Sequence, residues 1–314
     1  MARRQERTGR RPPPLPVRDG LNPSRVRLPL DGPWTTVAEH LRERFAVDRE
    51  RLDGKIAAGE VLLADGRPVT ETLPFQPDEF VYLYRDPAPE PPVPFDVDVL
   101  HRDDGLLVVD KPHFLSTTPR GLHVTESVVV RLRRRYGLPE LSPLHRLDRL
   151  TAGVLVLSLA PAQRGLYQTM FARREVTKSY LAVAPHRPDL DLPAVVRSRI
   201  VKERGTPVAR EVPGEVNAVT RIERLAVRGD RALYRLRPET GRTHQLRVHL
   251  SRLGIPIEDD PFYPVLRDVD RQDWSAPLQL LAEEVAFVDP VSGLPRRFRT
   301  RRRLAGWPDE VPGV

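Results

Sequence analysis

The sequence predicts an α+β fold, in which a mixed, largely antiparallel sheet with flanking helices follows a small N-terminal αα-β module. Three observations carry this prediction. Apolar, alternating runs come in pairs joined by tight turns at Asp104-Gly105 and Gly229-Asp230, the pattern of hairpins. Helix-period segments fall between the hairpins and not after every strand, which disfavours a doubly wound parallel sheet. No Gly-x-Gly-x-x-Gly and no Gly-x4-Gly-Lys-Ser/Thr stretch occurs, so a nucleotide-cradling fold has no support. At 314 residues and 39% hydrophobic composition, the chain can build one sizeable core and a smaller module.

Residues 1–33 are rich in Arg and Pro, with Pro12-Pro13-Pro14, and are expected to form a basic tail that is extended or partly disordered. From Trp34 the pattern changes. Thr35 or Thr36 can cap a helix carrying Val37, Leu41 and Phe45 at i+4 spacing, and Leu52 and Ile56 mark a second helix ending at Gly59. Val61-Leu62-Leu63 and Phe80 to Tyr84 read as short strands, completing a module over 34–86. Five prolines between 87 and 94 make a stiff linker. The main domain is expected over 95–304, with a tail over 305–314. It opens on strands Val97 to His101 and Leu106 to Asp110, followed by an amphipathic helix from Val124 to Tyr136. That helix puts Val128, Val129 and Leu132 on one side and Arg131, Arg133, Arg134 and Arg135 mostly on the other. The Arg row is either a solvated face or a phosphate-positioning one. An apolar strand after Thr151, a helix from Pro161 to Arg174 and a strand from Lys178 to Ala184 come next. Last comes a hairpin of 214–227 with 231–238.

Charge and composition narrow the function classes. The chain carries 51 basic and 43 acidic residues, and the excess gathers at its ends: eight arginines against three acids over 1–34, and six arginines with no acid from Arg296 to Arg303. A polyanion partner and a solubilising tail both remain open on charge alone. There is no cysteine, which excludes disulfides, thiol nucleophiles and thiolate metal sites. No run approaches membrane-spanning length, and the start lacks an apolar leader. A cytoplasmic protein, without a membrane and monomeric, is the expectation.

Two dense stretches could carry chemistry. In Leu144-His145-Arg146-Leu147-Asp148-Arg149-Leu150-Thr151, an acid flanked by arginines stands at the mouth of a buried strand, a costly position unless the acid is paired or used. A capped loop with solvated charges is the alternative. In Gly241-Arg242-Thr243-His244-Gln245-Leu246-Arg247-Val248-His249-Leu250, Thr243 is expected to cap a helix, with Arg242 in the loop before it and Arg247 on its second turn. Two arginines there suit phosphate, or one of them pairs with a carboxylate such as Asp148. His145, His244 and His249 lack metal-ligand spacing and read as structural histidines, and no Ser sits in a Gly-x-Ser-x-Gly elbow. One carboxylate steadied by Arg, with Tyr180 nearby, is what remains.

His145-Arg146-Leu147-Asp148 with Thr151-Ala152-Gly153-Val154 resembles the central signature of the RluA-type RNA pseudouridine synthases. Four further blocks follow the order of that family: Leu107 to Pro112, Lys178 to Ala182, Gly241 to His249, and Leu253 to Tyr263. A weaker block runs from Leu278 to Ala282. The resemblance spans about 96–300. It implies the pseudouridine synthase catalytic fold and a cofactor-free, metal-free isomerisation of uridine to pseudouridine in structured RNA, ribosomal or transfer. It makes Asp148 the catalytic residue, Tyr180 the base-stacking tyrosine and Arg247 the basic partner of Asp148. It gives Arg146 the place of the arginine that enters the RNA stack when a nucleotide flips out, and Arg242, His145 and Lys178 places against RNA. The module over 34–86 resembles an S4-like RNA-binding domain in position and outline. Its residues 36–60 nonetheless hold five basic against six acidic side chains. Two positions depart from the family pattern. Asp259 stands before Asp260 where Gly is usual, which suits a left-handed backbone position that Asp tolerates better than most residues. Gln279-Leu280-Leu281 replaces a leucine–histidine pattern. A non-catalytic RNA-binding or ribosome-assembly protein on the same fold is the alternative function.

Overall fold

The computed structural model describes residues 13–308 except 271. Positions 1–12 of the basic tail and 309–314 of the C-terminal tail lie outside the described residues. The chain folds as two units that divide between Ala88 and Pro89.

The N-terminal unit holds strand β1 (Ser24–Arg27), helices α1 (Val37–Arg44) and α2 (Arg49–Ala57), and strands β2 (Leu62–Leu63) and β3 (Phe80–Leu83). Thr36, not Thr35, caps α1. Its hydroxyl accepts from the Glu39 N–H at 3.2 Å while the Glu39 carboxylate accepts from the Thr36 N–H, a reciprocal capping box. Val37, Leu41, Leu52 and Ile56 meet Val26, Leu63 and Val81 in one core. The strand Ser24–Arg27 was not expected in a tail. It forms because Val26 is buried at 5% exposure and the whole segment pairs antiparallel with β3. Two helix cations are already neutralised, Arg42 by Asp53 and Glu71 and Lys55 by Asp86.

The larger unit is built on an 11-stranded sheet. Its strands are β4 (Asp98–Arg102), β5 (Leu106–Lys111), β6 (Ser142–Pro143), β7 (Ala152–Ser158), β8 (Val176–Pro185), β9 (Ala194–Val201), β10 (Arg210–Val212), β11 (Ala218–Arg228), β12 (Arg231–Pro238), β13 (Leu280–Val288) and β14 (Pro295–Arg299). The main order is β10-β9-β11-β12-β8-β13-β7-β5-β4, with β14 on β13 and β6 on β7. Every pairing is antiparallel except β13 with β7, so the sheet is mixed and largely antiparallel as expected. Helices cover both faces. Helix α3 (Val128–Tyr136) and helix α5 (Gln245–Arg252) bury Val128, Leu132, Leu246 and Leu250 against Leu155, Leu157, Ala182 and Leu236. Helix α4 (Pro161–Ala172) buries Tyr167 and Met170 on the other face against Val154, Val156, Val285 and Phe287. This two-sided burial explains the continuous apolar runs of β5 and β7, whose successive residues feed opposite layers.

Two local features differ from the sequence pattern. Helix α3 begins at Val128 and not at Val124, because the N–H groups of Val124, Thr125 and Glu126 donate to the Glu90 carboxylate. The last part of the proline-rich segment is therefore fastened to this unit, and Arg131 adds bonds to the Val93 and Phe95 carbonyls. The C-terminal arginines mostly close the sheet. Arg296 bridges Asp103 and Asp289, Arg297 and Arg299 reach Glu284, and Arg302 reaches Asp98 and Asp110.

The parallel junction is where backbone approach is closest. Ala282 of β13 pairs with Gly153 on one side and with Tyr180 on the other. Gly153 sits at φ +110, and a Cβ there would lie 2.2 Å from the Ala282 carbonyl oxygen. Only Gly fits both demands. Gly153→Ala is therefore expected to destabilise the larger unit by about 3 kcal/mol or more. Urea unfolding of the variant beside the parent chain measures it.

Candidate active site

The segment from Leu144 to Thr151 leads into β7 and is pinned through its backbone. The Leu147 carbonyl accepts from the Thr117 hydroxyl at 2.8 Å and the Leu147 N–H donates back to it at 3.1 Å. The Leu150 carbonyl lies 2.7 Å from His113 Nδ1. Lys111, fully buried at the end of β5, donates to the carbonyls of Pro112, Leu115 and Arg149 at 2.9, 2.7 and 3.2 Å. Three acceptors for three ammonium protons hold it charged, although burial pushes its pKa well down. Leu147 and Leu150 sink into the core on either side. Asp148 is left projecting, its side chain 34% exposed. Among the described residues its carboxylate accepts no hydrogen bond; Arg247 Nη1 and His244 Nε2 each stand 3.9 Å from its Oδ2.

Arg247 lies in the first turn of α5, and its guanidinium is committed elsewhere. Nε and Nη2 donate to Asp260 at 2.7 and 2.5 Å, and the two side chains are 1% and 0% exposed. The plane of the guanidinium also lies 4.7 Å from the Phe262 ring centroid and 5.3 Å from that of Tyr263. Asp260 further accepts from the Phe262 N–H. The residue before it, Asp259, adopts φ 57, the left-handed position expected where Gly is usual. Thr243 does not cap α5. The cap position is His244, itself left-handed at φ 57 and ψ 17 with no side-chain capping bond. The turn is closed instead by Gln245, whose Oε1 accepts from the Thr240 hydroxyl and the Arg242 N–H while its amide donates to Val219 and Thr220. A buried glutamine making four bonds outcompetes a half-buried threonine cap.

All seven residues singled out from the sequence line one cleft of about 900 Å³: Asp148, Tyr180, Arg247, Arg146, Arg242, His145 and Lys178. Burial first, and then the charge of Asp148, push the Tyr180 phenol well above its ordinary range, so it stays protonated. Burial and Arg174 lower the Lys178 ammonium. Arg146, Arg174 and Lys178 pair with no carboxylate among the described residues. Arg221 and Arg237, also on the cleft, are held by Glu239 and Glu223. Arg242 donates to the Asn217 carbonyl at 3.2 Å. His145 accepts the Val156 N–H at 3.1 Å and stacks on Phe171, which requires a neutral ring; burial takes its pKa to about 3. His249 is buried between Ser198 and Thr220, away from the other two. Among the described residues no three His, Asp or Glu side chains gather as metal ligands. Gln279, the second departure, is turned to the Gly306 N–H and the Pro277 carbonyl.

Four contributors escaped the sequence reading: Asp260, Lys111, Thr117 and Tyr263. Asp260 had a signal, an acid directly after a residue suited to positive φ. Lys111 had one too, a lone lysine ending an apolar strand. Tyr263 closes the family block that begins at Leu253, but its contacts to Ala209 and His244 are distant in sequence, and Thr117 has no local pattern to mark it.

A family model described as RNA pseudouridylate synthase matches residues 105–252. The chain is 32% identical over 213 residues to the dual-specificity RNA pseudouridine synthase RluA of Escherichia coli K12, an alignment covering 64% of this chain and 91% of that one. The chain belongs to the RluA-type RNA pseudouridine synthase family. The family match begins at residue 105 and so leaves the N-terminal unit unassigned. This pseudouridine synthase family member is also 32% identical over 179 residues to the mitochondrial tRNA pseudouridine(32) synthase of Saccharomyces cerevisiae, covering 55% of this chain and 38% of that one. The chain spans between 32% and 38% of the length of three of the curated relatives it matches. The structure of human RNA pseudouridylate synthase domain containing 4 superposes with a TM-score of 0.51 at 27% identity, over 66% of this chain and 88% of that one. The cytoplasmic expectation is overturned, because a similar protein is mitochondrial by name. The cysteine count reports on disulfides and does not distinguish compartments that keep thiols reduced. No helix among the described residues is long and apolar enough to cross a membrane.

Two predictions follow from the buried groups. Asp260→Asn leaves the Arg247 charge buried without its partner and is expected to destabilise the unit by about 3 kcal/mol or more. The double variant Arg247→Met with Asp260→Leu should recover most of that loss in urea unfolding, because both charges leave together. The second concerns acid. Burial lowers the pKa values of His113, His145, His244 and His249 from 6.5 to between about 3 and about 4. The unfolded chain takes up these protons below pH 6.5 and the fold does not, so their stabilisation is complete above that pH. Thermal melting should show stability falling as pH drops from 6.5 to about 4.

Proposed function

We propose that this protein isomerises specific uridines of a structured RNA to pseudouridine, with Asp148 as the catalytic residue and no cofactor. The observation that carries the reading is a carboxylate without hydrogen-bond donors on the wall of a cleft whose unpaired charges are positive. In the reaction the N1–C1′ bond breaks, the uracil turns within the cleft and a C5–C1′ bond forms. C5 loses its proton and N1 gains one, so atoms and electrons balance without a co-reactant. A positioned carboxylate promotes the bond breakage and enclosure keeps the freed base in place. Arg247 faces Asp148 with the one edge of its guanidinium that Asp260 leaves open, which orients the carboxylate. Tyr180, held neutral, offers a flat face to the base.

The RNA side of the proposal rests on the same cleft. Arg146, exposed at its mouth, fills the gap left in the stack by the flipped nucleotide. Lys178, Arg242 and the neighbouring Arg174 meet phosphate, and His145 fixes the wall behind them. Transfer RNA and ribosomal RNA are the candidate substrates; one relative is named for tRNA and another for dual specificity. Residues 95–304 are the catalytic domain, and the helix pair and strands of 34–86, with Ser24–Arg27 added to their sheet, serve as an S4-like RNA-docking module.

The test maps pseudouridine at nucleotide resolution in total RNA from the parent organism, a deletion strain, and that strain complemented with the parent chain, with Asp148→Ala, or with a chain lacking residues 1–86. One or a few sites are expected to vanish on deletion, return with the parent chain and stay absent with Asp148→Ala. Sites restored by Asp148→Ala, or an unchanged map on deletion, would sink the enzymatic reading in favour of a binding protein. Full restoration by the shortened chain would sink the docking role of the N-terminal module.

A further inference from the structure

We propose that His244 is a positioning residue that accepts a hydrogen bond from the 2′-hydroxyl of the target nucleotide and so holds the ribose against Asp148. This rests on the functional reading above. The His244 side chain is 9% exposed and its ring is fixed on two sides, edge-on to Tyr263 with centroids 5.7 Å apart and tilted on Phe262 at 5.6 Å. Its backbone is left-handed, a conformation unusual for a histidine and kept in place by the Gln245 hydrogen bonds that close the turn. The ring therefore presents one nitrogen to the protein and the other to the cleft.

The identity of the proton on that ring follows from Tyr263. Its hydroxyl lies 2.8 Å from the Ala209 N–H nitrogen, 2.8 Å from the Ala209 carbonyl oxygen and 2.9 Å from His244 Nδ1. A hydroxyl has one proton to give and two lone pairs. All three contacts are satisfied when Tyr263 donates to the Ala209 carbonyl and accepts from both the Ala209 N–H and a protonated Nδ1. Leaving Nδ1 without its proton sets two lone pairs against each other, nitrogen on oxygen at 2.9 Å or oxygen on oxygen at 2.8 Å. On the neutral ring Nε2 therefore bears the lone pair. Its 3.9 Å separation from Asp148 Oδ2 fits two acceptors that cannot bond each other. Burial also takes the ring pKa to about 4, which keeps it neutral at ordinary pH.

A fixed, mostly desolvated acceptor with no donor among the described residues awaits one from a ligand. An internal uridine nucleotide has only two donors, N3–H and the 2′-hydroxyl; its phosphates, its ring oxygen and its O2 and O4 only accept. The 2′-hydroxyl is carried by the carbon bonded to C1′, where the glycosidic bond is broken, whereas N3 lies across the base from that bond. The single hydroxyl proton goes to Nε2, and Asp148 Oδ2, 3.9 Å from that nitrogen, is then near the neighbouring carbon C1′. The arrangement places His244 at the ribose and Asp148 beside the bond to be cut. It also gives a single-residue reason for the enzyme to require RNA at the target position.

The test uses the full chain and a synthetic stem-loop around a uridine mapped as above. That uridine is replaced in separate strands by 2′-deoxyuridine and by N3-methyluridine. Single-turnover rates are measured for the parent protein, His244→Phe and Tyr263→Phe. Removing the 2′-hydroxyl should slow the parent about fivefold to tenfold more than it slows His244→Phe, while the N3-methyl penalty is equal in the two. The difference between proteins cancels intrinsic effects of the sugar change on the glycosidic bond. Tyr263→Phe keeps the imidazole but frees its tautomer, so its 2′-hydroxyl effect should fall between the other two; it serves alone if His244→Phe does not fold. Equal 2′-deoxy penalties in all three proteins would overturn the role of His244 while leaving the enzyme's activity standing. A penalty that disappears for N3-methyl instead would move the contact to the base and overturn the ribose assignment. Absence of product from every RNA with the parent protein would overturn the functional reading itself.

Discussion

The Arg247–Asp260 pair is the interaction on which the cleft depends. Both side chains are essentially removed from solvent, and their two parallel hydrogen bonds lock the first turn of α5 to the loop that follows it. That loop brings Phe262 and Tyr263 against the guanidinium, and Tyr263 in turn holds His244. A buried cation needs a buried anion, and here the anion is Asp260 and not Asp148. The consequence is chemical. Asp148 stands in the field of an arginine that is already neutralised, so it is oriented without being tied down.

A similar division runs through the charges of the whole cleft. Arg221 and Arg237 carry carboxylate partners, Glu239 just past β12 and Glu223 on β11, whereas Arg146, Arg174 and Lys178 carry none among the described residues. The paired arginines contribute mainly to the sheet. The unpaired ones keep their full field for a polyanion, and a concave surface focuses it. The six arginines near the C-terminus look equally basic in sequence, yet Arg296, Arg297, Arg299 and Arg302 are used against acids of the sheet. Net charge by itself did not separate these two populations.

The rigidity of the acid's own loop has a plain origin. Leu147, Arg149 and Leu150 each give a carbonyl to a buried donor, from Thr117, Lys111 and His113. Leu147 and Leu150 are drawn into the core. With its neighbours fixed, Asp148 has few ways to move, which is how a fold preorganises a side chain without bonding to it. The parallel pairing of β7 with β13 completes the frame. It sets Gly153, Ala282 and Tyr180 in one row across the sheet, a few residues beyond the acid.

Much of this was legible in the order of residues. Alternation and tight turns gave the hairpins, a threonine cap at 35 or 36 with Val37, Leu41 and Phe45 gave the first helix, and the apolar runs gave β5 and β7, because each depends on neighbours within a few positions. The family resemblance assembled the seven residues that the fold brings to one cleft. Local pattern misplaced the cap of α5 and the start of α3, since Gln245 and Glu90 win those backbone groups through contacts reaching across the chain. The strand Ser24–Arg27 was hidden because its partner lies more than fifty residues away. The sequence by itself picked out seven side chains that the fold gathers along one cleft. Only the tertiary structure decided which carboxylate holds Arg247, which nitrogen of His244 faces the cleft and which arginines stay unpaired, because each of those is settled by burial and by partners distant in sequence.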